Sequence, residues 1–282
     1  ILIAFSILIS INSYVWVRGW NALPNGSITR PIYLTTMIGC FLAFLGGLIF
    51  GNMMSLPLAR AVSFVGFTYF IVFVYLMVSF LVVDVVRLAN YFIHFFPAGM
   101  ATFRLWTMVG TLAIITVALG IGNYTFNHPK VVRLNLSVDK PTQNKELTIV
   151  AASDLHLGIS IGKKLMQSYV KLMNEQHPDI VLLAGDVSDR SMIPVVLQNM
   201  DEELRAIKSK YGTYAINGNH EHYAEKPDAT AEYLKSAGVK FLRDESILVD
   251  SSFYVIGRDD RTNHSRKSLA EIVTGLDKEY PR

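Results

Sequence analysis

The chain has 282 residues, 26 Lys and Arg against 23 Asp and Glu, one cysteine, and a mean hydropathy of +0.33. Before His128 the only acidic and basic residues are Arg18, Arg30, Arg60, Asp84, Arg87 and Arg104, whereas from Lys130 onward there are 21 basic and 22 acidic ones. A membrane-like half therefore precedes a near-neutral soluble half of ordinary domain length, which shows no basic stripe of the kind a nucleic-acid partner requires, and the lone Cys40 excludes a disulfide framework and a thiolate zinc site.

A helix needs about 20 apolar residues to cross a bilayer. Residues 1–17, 32–51, 62–86 and 105–122 meet or approach that length, so 1–127 is expected to be a transmembrane domain of about four helices in contact with the lipid bilayer. Tyr14, Trp16 and Trp20 end the first run as an interfacial belt would. No basic region precedes that run and no small-residue cleavage site follows it. It therefore reads as a span whose start is cut rather than as a signal peptide. Asp84 and Arg87, three apart near the end of the third run, are expected to neutralise one another at i, i+3. No other charged group lies in the runs, which disfavours a transporter or proton pump. Arg18, Arg30, Arg87 and Arg104 would flank one side and Arg60, Lys130 and Arg133 the other, a balance that sets no orientation.

Residues 128–145 are expected to be a linker and a first strand. Beyond them strands alternate with helices, the pattern of an α/β domain. "ELTIVAAS" (146–153), "DIVLLAGD" (179–186) and "TYAINGN" (213–219) read as strands; 163–176, 193–209 and 229–238 read as helices; and 239–257 reads as a run of short strands. In α/β sheets, ligands bind at the carboxyl ends of strands. The first strand ends in "SDLHLG", with Asp154 and His156; the second in "GDVSDR", with Asp186 and Asp189; the third in "GNHEH", with Asn219, His220, Glu221 and His222. Each block alone is ordinary turn or capping chemistry. Three in succession deliver carboxylates, imidazoles and an amide to one edge, a donor set suited to divalent Mn, Fe, Zn or Mg. His222, one position past the third block, is expected to be exposed, and His264 to lie in a polar loop.

"SDLHLG", "GDVSDR" and "GNHE" resemble the first three blocks of the calcineurin-like metallophosphoesterases, and the membrane half resembles their bacterial branch in which several spans precede the phosphoesterase domain. That resemblance implies two sheets sandwiched between helix layers over residues 146–282, with a two-metal site at one edge. It implies that Asp154 and His156 bind one metal, Asp186 bridges both, and Asn219 binds the second. His220 would protonate the leaving group, while Asp189 and Glu221 would support these residues without binding metal. Glu221 stands where the family more often has aspartate. The family also carries a histidine behind a further strand and a Gly-His-x-His block, and neither occurs before Arg282. The chain is therefore expected to be cut, its C-terminal part missing, and to turn over poorly by itself. The expected function is membrane-anchored hydrolysis of a phosphate ester or pyrophosphate bond, on a phosphorylated small molecule or a lipid-linked phosphate, in a multi-pass protein of the bacterial cytoplasmic membrane. The alternative is a non-catalytic membrane sensor or scaffold that retains the domain.

Overall fold

In the computed structural model, residues 2–94, 100–140, 146–224, 226 and 228–282 are described, and the chain divides into two units, Ile1–His128 and Pro129–Arg282. The described part of the first unit is built of four long helices: α1 (Leu2–Ala22), α2 (Thr29–Phe50), α3 (Leu56–Ile93) and α4 (Ala101–Asn127). Each covers most or all of one of the expected apolar runs. Thr29–Met53, Leu56–Ile93 and Ala101–Asn127 are each long and apolar enough to cross a membrane. A helix suits that setting because it satisfies its backbone polar groups internally.

The third helix starts with Pro57 in its first turn, where a missing N–H costs nothing, and ends at His94 in the left-handed conformation (φ 55°). Its 38 residues rise about 57 Å, well beyond a hydrocarbon core of about 30 Å. It therefore absorbs the expected run 62–86 and continues past it at both ends. Val15, Phe41, Tyr69, Phe73, Leu76 and Phe80 form the interior of this unit. At Gly66 an added Cβ would lie 2.6 Å from the Phe44 Cα, so α2 and α3 touch through a glycine.

Asp84 does not chiefly pair with Arg87, as its spacing suggests. Its carboxylate lies 2.6 Å from the Arg18 guanidinium and accepts a 2.9 Å hydrogen bond from the Tyr14 hydroxyl, both on α1. Arg87 stands 3.9 Å away. A shorter partner on a neighbouring helix outcompetes the local one, and the pair joins α1 to α3.

In the second unit, residues 129–140 form neither helix nor strand, so the strand expected within 128–145 does not appear among the described residues there; 141–145 lie outside them. Four strands, β1 (Ile149–Ala152), β2 (Ile180–Ala184), β3 (Thr213–Ile216) and β4 (Lys240–Phe241), form a parallel sheet in sequence order. The crossovers carry α5 (Lys163–Asn174), α6 (Ile193–Leu197), α7 (Asp201–Arg205), α8 (Asn219–Tyr223) and α9 (Ala229–Ser236). Side chains alternate across the pleat. Val181, Leu183 and Ala215 face Met166, Val170, Leu204 and Leu234 of the helices, while Ile180, Leu182, Tyr214 and Ile216 face the other way. That second face is covered by an antiparallel hairpin, β5 (Glu245–Val249) and β6 (Phe253–Gly257), through Val249 and Phe253. A short α10 (Leu269–Ile272) follows. The layers are thus helices, parallel sheet, then the two strands of a second sheet.

The expected helix 193–209 is two short ones. Asn199 between them adopts φ 49°, a left-handed conformation that asparagine tolerates and a continuous helix does not. The break lets Met200 sink to full burial in the core.

Candidate metal centre

The parallel order of the sheet delivers the ends of β1, β2 and β3 to one edge. Past β1 and β2 the chain stays paired: the Asp154 N–H donates to the Gly185 carbonyl (3.2 Å), the His156 N–H to that of Asp186 (2.9 Å), and the Leu157 N–H to that of Val187 (2.9 Å). Asp154, His156 and Asp186 all have positive φ, at 55°, 44° and 51°. Left-handed backbone at three polar positions within one loop pair is strain of the kind that surroundings must over-determine, and such strain gathers at working sites.

The surroundings do so through Glu221. This carboxylate is 1% exposed. Its Oε2 accepts from the backbone N–H groups of Asp186 (3.0 Å) and Gly218 (2.8 Å), and its Oε1 from that of Ser188 (3.1 Å). Three amides on two loops thus converge on one side chain, which explains how a carboxylate can be buried there. Gly185 (φ 87°) and Gly218 make the close approach possible. A Cβ on the former would lie 2.8 Å from the Gly218 backbone, and one on the latter 2.1 Å from the Asp186 carboxylate.

Asp186 sits at the centre of the cluster. Its Oδ1 accepts from the His220 N–H (2.9 Å), and its Oδ2 lies 3.9 Å from His156 Nε2. His156 Nε2 is also 3.8 Å from the Asp154 carboxylate. Two donors about 2.1 Å from a common ion lie at most about 4.2 Å apart, so these separations fit a shared divalent cation. Asp154, His156 and Asp186 form one such group and His156, Asp189 and His220 another, with His156 common to both. The His156 and His220 rings meet edge to face with centroids 4.4 Å apart. His220 Nδ1 pairs with the Asp189 carboxylate at 3.1 Å. Asn219, the first residue of α8, lines a cavity of about 290 Å³ together with Asp154 and Asp186. All seven residues singled out from the sequence therefore gather at this edge.

His222 is a correction. It is not exposed: its Nε2 bonds the Asp259 carboxylate at 2.9 Å, and its side chain is 19% accessible. Asp259 itself escaped the sequence reading. It is 2% exposed. Burial pushes its carboxyl up, but donation from Asn263, Asn217, His222 and the Asp260 amide outweighs that and holds it down at about 2. The available signal was the polar "RDD" directly behind β6, the same strand-end pattern that marks the other blocks. His264 is exposed in the loop that follows, as its polar setting suggests.

Residues 147–272 match the family model of the calcineurin-like phosphoesterases. A zebrafish (Danio rerio) transmembrane protein with metallophosphoesterase domain is 31% identical over 142 residues, which is 50% of this chain and 32% of that protein. A metallophosphoesterase of Aquifex aeolicus is 27% identical over 46% of this chain and 49% of its own length, and one of Bacillus subtilis 29% over 62% and 67%. The chain thus spans about a third to a half of the first relatives it matches. No solved structure matches it. Strand-end blocks, parallel sheet and family model agree on a calcineurin-like phosphoesterase domain at residues 147–272, and this domain follows helices long and apolar enough to cross a membrane.

Proposed function

We propose that the protein is a membrane-anchored phosphoesterase that uses two divalent metal ions to hydrolyse a phosphate ester or pyrophosphate bond. The observation that carries this reading is the donor group of Asp154, His156 and Asp186, whose carboxylate and imidazole atoms lie within 4.8 Å of one another, with Asn219 lining the same cavity as the two aspartates. Asp154, His156, Asp186 and Asn219 would hold the ions, which when bound would polarise the phosphoryl group and lower the pKa of a water molecule. Manganese, iron, zinc and magnesium all suit these donors.

The remaining roles belong to the chain. Water oxygen bonds to phosphorus as the bond to the leaving oxygen breaks, and that oxygen needs a proton. His220 supplies it: Asp189 holds the ring through Nδ1 and leaves Nε2 for the leaving group. Glu221 keeps the Asp186 and Gly218 backbones in place throughout. The relatives' printed names, transmembrane protein with metallophosphoesterase domain among them, support a membrane setting. We assign that setting to a bacterial cytoplasmic membrane, where the substrate would be a phosphorylated small molecule or a lipid-linked phosphate.

The test is hydrolysis of nitrophenyl phosphomonoester and phosphodiester, and of pyrophosphate, by the full-length protein in detergent. Turnover that needs added divalent metal and vanishes in Asp186→Asn is expected. Stoichiometric metal binding with no turnover on any of the three would overturn the reading in favour of a non-catalytic sensor.

A further inference from the structure

The cavity that Asp154, Asp186 and Asn219 line is also lined by Arg258 and Arg266, which belong to none of the three motif blocks. Both lie on the segment behind β6, and that segment is stitched down at several points. The Asp244 carboxylate accepts from the backbone N–H groups of Asp259 (2.9 Å) and Lys267 (3.0 Å). The Asn263 amide donates to the Asp259 carboxylate at 2.8 Å. Arg258 Nε donates to the Lys267 carbonyl (2.9 Å), and one Arg266 terminal nitrogen to the Asp259 carbonyl (3.1 Å). These bonds tie one guanidinium nitrogen of each side chain to backbone and leave the others to point elsewhere.

Among the described residues neither guanidinium has a carboxylate within ion-pair distance, although Arg18, Arg205 and Arg243 elsewhere in the chain all have one. The carboxylate nearest in sequence, Asp259, is already occupied by Asn217, His222 and Asn263. Asn217 lines the same cavity, and its buried Oδ1 has no partner. Two held, unpaired arginines beside a cluster of metal-type donors describe space made for an anion; the Asn217 oxygen, an acceptor, does not contribute to holding it. Guanidinium favours phosphoryl oxygens because its fork matches them two at a time.

We propose that Arg258 and Arg266 form an anion subsite selecting substrates with a second phosphoryl group beside the scissile one, that is a diphosphate, borne by a lipid or free in water. This rests on the phosphoesterase reading for the identity of the scissile group. It narrows the substrate class: a lone monophosphate would meet only the ions that the metal-type donors would hold and would leave both arginines unused.

The test is equilibrium binding to the full-length protein in detergent, at a fixed free manganese concentration, of inorganic phosphate and of imidodiphosphate, whose P–N–P bridge resists hydrolysis. The wild type should bind imidodiphosphate at least about tenfold more tightly than phosphate, and Arg258→Gln should erase most of that preference, while Arg258→Lys keeps part of it. Arg266→Gln should do the same, with its melting temperature checked because its side chain also bonds backbone. Loss of affinity for both ligands to the same degree, or an unchanged preference in both Gln variants, would overturn the subsite. Phosphatidylcholine vesicles with and without a prenyl diphosphate assign the source: tighter capture of the doped vesicles than of imidodiphosphate points to lipid, equal or weaker capture to a free diphosphate. Because binding is read without turnover, an absence of hydrolysis would sink the phosphoesterase reading and leave this result standing.

Discussion

Glu221 and Asp186 are joined by a 3.0 Å hydrogen bond that runs from the Asp186 backbone N–H to the Glu221 carboxylate, 35 residues further along the chain. The same carboxylate takes two further amides. Replacing it by Gln turns one acceptor atom into a donor facing an N–H group, and a buried mismatch of that kind costs about 1–3 kcal/mol, more where a charge is lost. Glu221→Gln should therefore lower the melting temperature and weaken metal binding together, since Asp186 loses its anchor. Calorimetric unfolding and metal titration of the same sample check this; normal affinity in a destabilised variant would separate the two roles.

His220→Asn should lower turnover about 10²–10⁴-fold, the usual scale for a general acid, while metal still binds. Asp189→Asn keeps the contact to His220 but weakens its hold on the ring, and a smaller loss of about 10–100-fold is expected, by analogy with groups that orient metal-ligating histidines. Steady-state kinetics with metal content measured in parallel decides. Loss of metal from the His220 variant would make that histidine a ligand instead.

Chelation should abolish hydrolysis, and added divalent ion should restore it. Asp186→Ala should not be rescued at any metal concentration tried, because Asp186 touches both neighbours of the site: the His220 backbone directly and His156 at ligand spacing. Rescue at high metal would show that Asp154 and His156 suffice.

The Asp259 carboxyl, at about 2 against an ordinary value near 4, stabilises the fold as an anion. Its share is fully present above the ordinary carboxylate range and is lost as pH falls from about 4 through about 2. The amount is on the order of 2 kcal/mol for a buried group with that shift. Asp259→Asn should thus reduce stability at pH 7 and flatten the acid limb of the stability curve. Denaturant midpoints measured between neutral and acidic pH test this, and parallel limbs for wild type and variant would refute it.

In the helical unit, Asp84→Asn removes the charge that faces Arg18 and Tyr14. A cost of about 1–3 kcal/mol is expected, less than for a fully buried pair because both side chains keep some exposure. Arg18→Leu with Asp84→Leu should recover most of it, as no orphan charge remains. Unfolding in mixed micelles measures both; a double variant as unstable as the single one would show that shape rather than charge holds α1 to α3.

Much of this molecule is legible locally. Val181 and Leu183 face one way and Ile180 and Leu182 the other because a strand has a period of two, and the polar blocks follow because a parallel sheet gathers its strand ends. Illegible were the relations that depend on packing across long separations. His222 meets Asp259 37 residues away, and Asp84 meets Tyr14 70 residues away. No spacing rule encodes such partners; they are settled by which surfaces the core brings together. Glu221 shows the same limit. Its place in the motif is plain, but its three amide donors exist only once β2 and β3 are side by side. The break at Asn199 was missed for a different reason: its helical neighbours continue an apolar pattern that the backbone does not.

Gly218 carries a final consequence. With a hypothetical Cβ only 2.1 Å from the Asp186 carboxylate, the clearance between the second and third loops is smaller than a methyl group. The spacing of the ligands is thus ruled by bare main chain on that side, with no side chain whose size could be traded to widen or narrow it. Variation in the shape of the cavity must therefore come from its other lining residues, Arg258 and Arg266 among them, rather than from this glycine.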